Sequence, residues 1–206
     1  MAEPHSTRRA SPIPPPLTAD TTYLLICDVQ ERFREVMPAF PAVVHAATTL
    51  YDFAGLLDIP TLVTEQYPKA LGHTVAEVAP LPSPRATVVE KTRFSMLVPD
   101  TDAALAAAPA RTSVLLVGLE THICIAQTAE GLLRRGYAVH LVVDGIASQR
   151  AGDRQVALGR LRDAGAVVTT AEAAMYELLG DKGHPAFKAA LAIVKRPRPA
   201  EALEGL

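Results

Sequence analysis

Between about residue 20 and residue 195, short apolar runs alternate with longer stretches whose apolar side chains recur every third or fourth position. The runs Tyr23 to Asp28 (YLLICD), Thr61 to Glu65 (TLVTE), Ala86 to Lys91 (ATVVEK), Ser113 to Gly118 (SVLLVG), Ala138 to Asp144 (AVHLVVD) and Ala166 to Thr169 (AVVT) predict strands. Several are almost continuously apolar, the pattern of strands buried on both faces of a parallel sheet. The intervening stretches predict helices near Val43 to Leu57, Asp102 to Ala107, His122 to Arg135, Asp153 to Asp163, Glu172 to Leu179 and Pro185 to Lys195. Repeated strand, helix, strand units imply an α/β fold: a three-layer, doubly wound, mostly parallel sheet with helices on both faces.

The two ends break this pattern. Residues 1–20 show no hydrophobic period and carry Pro12, Pro14, Pro15 and Pro16, which favour an extended, solvated tail. Glu3 and Asp20 argue against reading it as a transit peptide. Pro197 and Pro199 end any helix near Lys195, so 196–206 is expected to be a second loose tail and 21–195 the single folded domain.

Composition narrows the function classes. The chain has 206 residues, 49% hydrophobic and 20% charged, and its formal net charge is -2 with no clustered basic stripe. Neither nucleic acid nor an anionic membrane surface is an expected partner. Aromatics at 5% and the absence of Trp argue against a base-stacking platform. Two cysteines make no disulfide framework and suit a reducing compartment, and no apolar run approaches the roughly 20 residues of a membrane span, so the expected location is the cytoplasm.

In a doubly wound sheet, ligands gather beyond the carboxyl ends of the strands. Asp28 ends the first strand, Lys91 ends the third, and Cys124 opens the helix after the fourth. Taken singly, each has an ordinary structural use: an Asp caps, a Lys packs its stem and solvates its head, a Cys fills a core. Cys27, inside YLLICD, reads as such a filler. Cys124 differs, because a helix N-terminus supplies unpaired amide donors and a positive partial charge that favour the thiolate.

The stretches LLICDVQERF, LVTEQYPKALG, VEKTRFSM and GLETHICIAQTAEGLLRRGYAVHLVVD together resemble the isochorismatase-like cysteine hydrolases, in particular the isochorismatase domain-containing subgroup. The resemblance covers about Tyr23 to Lys195. It implies strand order 3-2-1-4-5-6, a catalytic triad of Asp28, Lys91 and Cys124, and no cofactor. It also implies an oxyanion hole from the backbone N–H groups of Glu120 and Cys124, with a cis peptide between Leu119 and Glu120, and a homo-oligomer, at least a dimer. Glu120 enters that reading through its backbone and not its side chain.

Two departures from the family pattern refine the expectation. Members that hydrolyse nicotinamide carry an Asp-x-His pattern and a further His after the second strand; this chain has Thr64, Glu65, Gln66 and Tyr67 there, with His73 a few residues on. One His without a spaced partner is a poor ligand set, so no metal is expected. Bacterial isochorismatases that cleave a vinyl ether lack the catalytic cysteine, which this chain has. Phe33, Gln66, Tyr67 and Phe94 are candidates for the substrate pocket. His122, two residues from Cys124, does not face it along a helix and reads as a loop cap. Asp144, at the end of the fifth strand, reads as a cap for the next segment.

The expected activity is metal-independent hydrolysis of a C–N, amide-type bond in a small molecule through a thioester on Cys124. A nucleotide-binding domain would want a glycine-rich turn after the first strand, and DVQERFREV has none. A small-molecule-binding or thiol-sensing protein on the same scaffold, and isochorismatase-type ether hydrolysis, are the alternatives.

Overall fold

Six parallel strands form one sheet in the order β3-β2-β1-β4-β5-β6. They are β1 (Thr22–Cys27), β2 (Thr61–Gln66), β3 (Ala86–Lys91), β4 (Ser113–Leu119), β5 (Ala138–Ala147) and β6 (Val167–Thr169). The computed structural model describes residues 14–78 and 83–199. The helices are α1 (Phe40–Leu56), α2 (Pro68–Leu71), α3 (Pro99–Ala106), α4 (Ala126–Arg134), α5 (Ala151–Asp163), α6 (Ala171–Leu179) and α7 (Phe187–Val194). The expected strand order and class are those observed.

Side-chain alternation splits the apolar residues of each strand between two cores. Leu24, Ile26, Val63, Leu115, Val117 and Val142 pack under α1, α6 and α7. Leu25, Cys27, Leu62, Leu116, Val139 and Leu141 pack on the other face with Leu105 of α3, Ala129 and Leu132 of α4 and Leu161 of α5. Both faces being covered accounts for the near-continuous apolar runs.

Differences from the sequence expectation have local causes. Helices α1 and α3 start three residues earlier than expected, with Pro41 and Pro99 in their first turns, where a missing N–H costs nothing and the fixed φ suits a helix. The single turn α2 was not foreseen. Strand β5 runs on to Ala147, so Asp144 lies inside it and does not end it. Its pairing with β4 jumps from Leu116↔Leu141 to Gly118↔Ile146, a bulge that crowds Gly145 against Ala46 and Val117.

Most of the tail expected over 1–20 lies outside the described residues, but Leu17 is buried and its N–H donates to Glu177 Oε1 at 2.8 Å. At the other end Arg196 pairs with Asp52 at 2.7 Å and Arg198 with Glu172, while 200–206 lie outside the described residues.

At the centre, β1 and β4 lie side by side although the chain leaves them in opposite directions across the sheet, the topological switch point. Gly118 sits opposite Cys27 with φ 119°, and a Cβ there would meet the Cys27 carbonyl oxygen at 2.0 Å. Only glycine fits so close a backbone approach.

His140 of β5 is buried, and neither ring nitrogen has a hydrogen-bond partner among the described residues. Burial lowers its pKa, opposed by Glu177. The unfolded chain therefore binds a proton that the folded one refuses, so stability is lost as pH falls below the unfolded value of about 6.5. His140→Leu should gain about 1 kcal/mol on the parent between pH 7.5 and pH 5.5, read from urea melts at both pH values.

Candidate active site

Three strand ends at the switch point carry the polar groups. Asp28 follows β1 with φ 52°, in the left-handed region that Asp adopts more readily than bulky residues. Its Oδ1 accepts from Thr64 Oγ1 at 2.7 Å, and its Oδ2 from Lys91 Nζ at 2.7 Å. The side chains of Lys91 and Asp28 are 0% and 1% exposed. Lys91 Nζ also donates to Gln66 Oε1 at 2.7 Å and to the carbonyls of Arg93 and Phe94, each at 3.1 Å, and lies 4.0 Å from Cys124 Sγ.

Cys124 rides on a π-helical turn, Thr121–Ile125, that joins β4 to α4. The helix expected from His122 is thus irregular over its first residues, a wide turn of the kind that recurs at functional sites. Cys124 is 7% exposed. Thr128 Oγ1 donates to its carbonyl at 2.6 Å and accepts from Met96 N at 2.9 Å, tying the Cys124 turn to the loop after β3. The Leu119–Glu120 peptide is cis. Cys124 Sγ faces the Lys91 ammonium and, within 4.8 Å, an Asp28 carboxylate oxygen.

Electrostatics follow from that enclosure. Burial raises the pKa of Asp28, and the Lys91 ammonium, with the hydrogen bonds to it and to Thr64, works against the rise. For Lys91, burial acts to lower the pKa, but the negative charge available on Cys27, Asp28 and Cys124 outweighs it and the net shift is upward. Lys91 is the standing cation of the site, and Asp28 is its buried counter-charge.

Other expected site residues divide. Tyr67 and Phe94 stand at the rim, each 52% exposed. Gln66 has its amide engaged with Lys91 and, at 2.8 Å, the Thr92 carbonyl, which makes it a positioning residue more than a free pocket wall. Phe33 lies in a short 3-10 turn and packs partly against the core under α1. His122 turns away from Cys124: its Nδ1 is 2.9 Å from Ser148 Oγ. Asp144 accepts from Ala171 N at 2.8 Å and so caps α6, not the helix that follows β5.

Three residues gain roles that sequence patterns did not signal. Buried Gln30 donates to the carbonyls of Gln66 and Gly72 and accepts from Gln66 N, stitching the rim of β1 to that of β2. The Glu120 carboxylate accepts from Gln149 N at 2.9 Å, fixing the turn before Cys124 to the loop after β5. Cys27 is buried as expected, but it is not remote filler: its sulfur, an Asp28 oxygen and Cys124 Sγ all lie within 4.8 Å of one another.

These same three groups are the one set among the described residues spaced to hold a metal ion, and Lys91 already neutralises the Asp28 carboxylate there. His73, the other candidate ligand, bonds Glu65 Oε2 at 2.8 Å, while Glu65 Oε1 accepts from Thr74 N at 2.7 Å.

Residues 22–173 match the family model described as Isochorismatase domain. The chain belongs to the isochorismatase family. It is 45% identical over 183 residues to isochorismatase domain-containing protein 1 of Salmo salar, a match covering 89% of this chain and 64% of the salmon protein. To isochorismatase domain-containing protein 2 of Bos taurus it is 46% identical over 186 residues, 90% of this chain and 89% of the bovine one. A solved structure described as MAR1 ribonuclease from Caenorhabditis elegans superposes with TM-score 0.87 at 38% identity, covering 93% of this chain and 98% of that one. The fold is that of the isochorismatase-like hydrolases, and no helix among the described residues is long and apolar enough to cross a membrane.

The buried pair sets a stability test. Lys91→Met leaves the Asp28 carboxylate buried without its cation, a change that typically costs about 3 to 5 kcal/mol. Asp28 then titrates further above its unfolded value of about 3.9, so the unfolded state binds fewer protons and stability falls as pH rises through that interval. The loss should be larger at pH 8 than at pH 5 in urea melts, and Asp28→Asn added to Lys91→Met should recover part of it.

Proposed function

We propose that the protein is a metal-independent cysteine hydrolase that cleaves a C–N, amide-type bond of a small molecule through a thioester. The observation that carries this reading is the convergence of Asp28, Lys91 and Cys124 from three strand ends into one buried cluster.

Asp28 accepts the Cys124 thiol proton, and the Lys91 ammonium balances the resulting negative charge. The sulfur attacks the carbonyl carbon, and the oxyanion accepts hydrogen bonds from the backbone N–H groups of Glu120 and Cys124. Collapse breaks the C–N bond, the amine leaving with the proton held by Asp28. Water, giving a proton to Asp28, then attacks the thioester and releases the acid and the thiol. Tyr67 and Phe94 are the aromatic surface against which a substrate, or a second copy of the chain in a homo-oligomer, packs. Two neighbouring free thiols suit the reducing cytoplasm.

The ribonuclease activity in the name of the C. elegans structure belongs to that protein. In this chain a buried thiol and a formal net charge of -2 support a small substrate over a polyanion.

Against a panel of small aliphatic and aromatic amides, Cys124→Ala should lower turnover by about a thousandfold or more with an unchanged melting profile. Iodoacetamide should label Cys124 ahead of Cys27, and Asp28→Asn and Lys91→Met should each slow that labelling about tenfold. Full activity in Cys124→Ala would refute the mechanism. A chain that labels rapidly at Cys124 but turns over no amide, ester or vinyl ether would point to binding or thiol sensing on the same scaffold.

A further inference from the structure

The hydrolytic reading leaves one thiol of the cluster without a role. Cys27 is the last residue of β1, fully buried, paired with Thr64 of β2 on one side and Gly118 of β4 on the other. The chain has two cysteines, both are free, and their sulfurs lie within 4.8 Å of each other. A disulfide needs a sulfur separation of about 2.05 Å, so side-chain rotation and a small backbone shift must close the gap. Sheet pairing on both flanks fixes the Cys27 backbone, so the movement falls to Cys124 on its irregular turn.

We propose that Cys27 and Cys124 form a dithiol modification site, in which Cys27 captures the oxidised nucleophile as an intramolecular disulfide and the oxidant is a hydroperoxide. The inference rests on the same reactive Cys124 as the hydrolase reading but on a different reaction. The Cys124 thiolate attacks a peroxide oxygen: an S–O bond forms, the O–O bond breaks, and the alcohol or water leaves after taking up a proton. Sulfur is oxidised by two electrons and the peroxide is reduced. Cys27 then passes its proton to Asp28 and its sulfur attacks the sulfenic sulfur. The S–S bond forms, the S–O bond breaks, and the departing hydroxide leaves as water with the proton from Asp28. With hydrogen peroxide, two thiols and one peroxide give one disulfide and two waters.

The surroundings of Cys27 fit a resolving thiol and not a second nucleophile. Burial pushes its pKa up, and hydrogen bonding to Cys124 and the Asp28 charge push it further, so in the resting enzyme it stays protonated. Its proton has an acceptor in Asp28, within the same 4.8 Å set. A neighbouring thiol held in place intercepts a sulfenic acid before a second peroxide converts it to sulfinic acid.

The full-length protein is treated with equimolar hydrogen peroxide, blocked with iodoacetamide in denaturant, and digested without reduction for mass spectrometry. The expected product is a linked pair of the tryptic peptides carrying Cys27 and Cys124, monomeric on a non-reducing gel and reversed by dithiothreitol. In Cys27→Ala, and in Cys27→Ser as a second variant, Cys124 should reach sulfinic acid about tenfold faster and not be rescued by dithiothreitol. Equal sulfinic acid in parent and variants without a linked pair, or a disulfide joining two chains, overturns the proposal. If neither cysteine oxidises it also fails; amide turnover that survives such a result leaves the hydrolase reading standing, since the two readouts are separate.

Discussion

The ion pair between Asp28 and Lys91 is the constraint around which the active end of the protein is built. Removing both charges from water costs several kcal/mol per ion, and their attraction offsets this only when the remaining donors and acceptors are also satisfied. Here they are: Thr64 serves the second Asp28 oxygen, while Gln66 and the Arg93 and Phe94 carbonyls surround the ammonium. Those partners come from β2 and the loop after β3. Strands β1 and β3 are separated by β2, about 9.6 Å from axis to axis at ordinary strand spacing. Lys91 has to reach across β2 to meet Asp28, and the side chains of β2 that line its path, Thr64 and Gln66, are the ones that bond the pair.

Cys124 is held from the opposite side of the switch point. Thr128 ties its turn to Met96 in the loop that shelters Lys91, and Glu120 ties the preceding residue to the loop after β5. Gly118 lets β4 press against β1 closely enough for the turn after β4 to reach the end of β1. The Thr128–Met96 and Glu120–Gln149 bonds join segments from different crossovers, so the turn is anchored at its two ends while Cys124 sits on irregular backbone between them. That is the arrangement in which a few charges act at fixed distance in a site with little water.

How much of this was legible in the sequence follows from which signals are local. Strand identity and order came through, since burial on both faces leaves nearly uninterrupted apolar runs and the resemblance supplies the order. Asp28, Lys91 and Cys124 stand out in the sequence because each ends or follows such a run, and the fold brings them together. The helix starts at Phe40 and Pro99 were misplaced because proline, here Pro41 and Pro99, breaks a helix everywhere except its first turn. The bulge in β5 left no mark on a run that reads as ending at Asp144. Gln30, Thr128 and the Glu120 side chain were missed for a deeper reason: the partners Gln66, Met96 and Gln149 are 29 or more residues away, and a polar residue looks the same in sequence whether it is solvated or bonded to a distant backbone group.

Cys27 shows the same limit at its sharpest. In a regular strand consecutive side chains point to opposite faces, so Cys27 and Asp28 should not approach one sulfur. Cys27 faces the core shared with Ile125 and Ala126, which is the side from which Cys124 arrives. Asp28 reaches the same place because its φ of 52° breaks the alternation one residue past the strand. The left-handed turn that brings the carboxylate to Cys124 therefore also makes the preceding side chain its neighbour. A carboxylate and a second thiol beside Cys124 are two results of a single backbone conformation, and any residue at position 27 would sit where it can touch the chemistry.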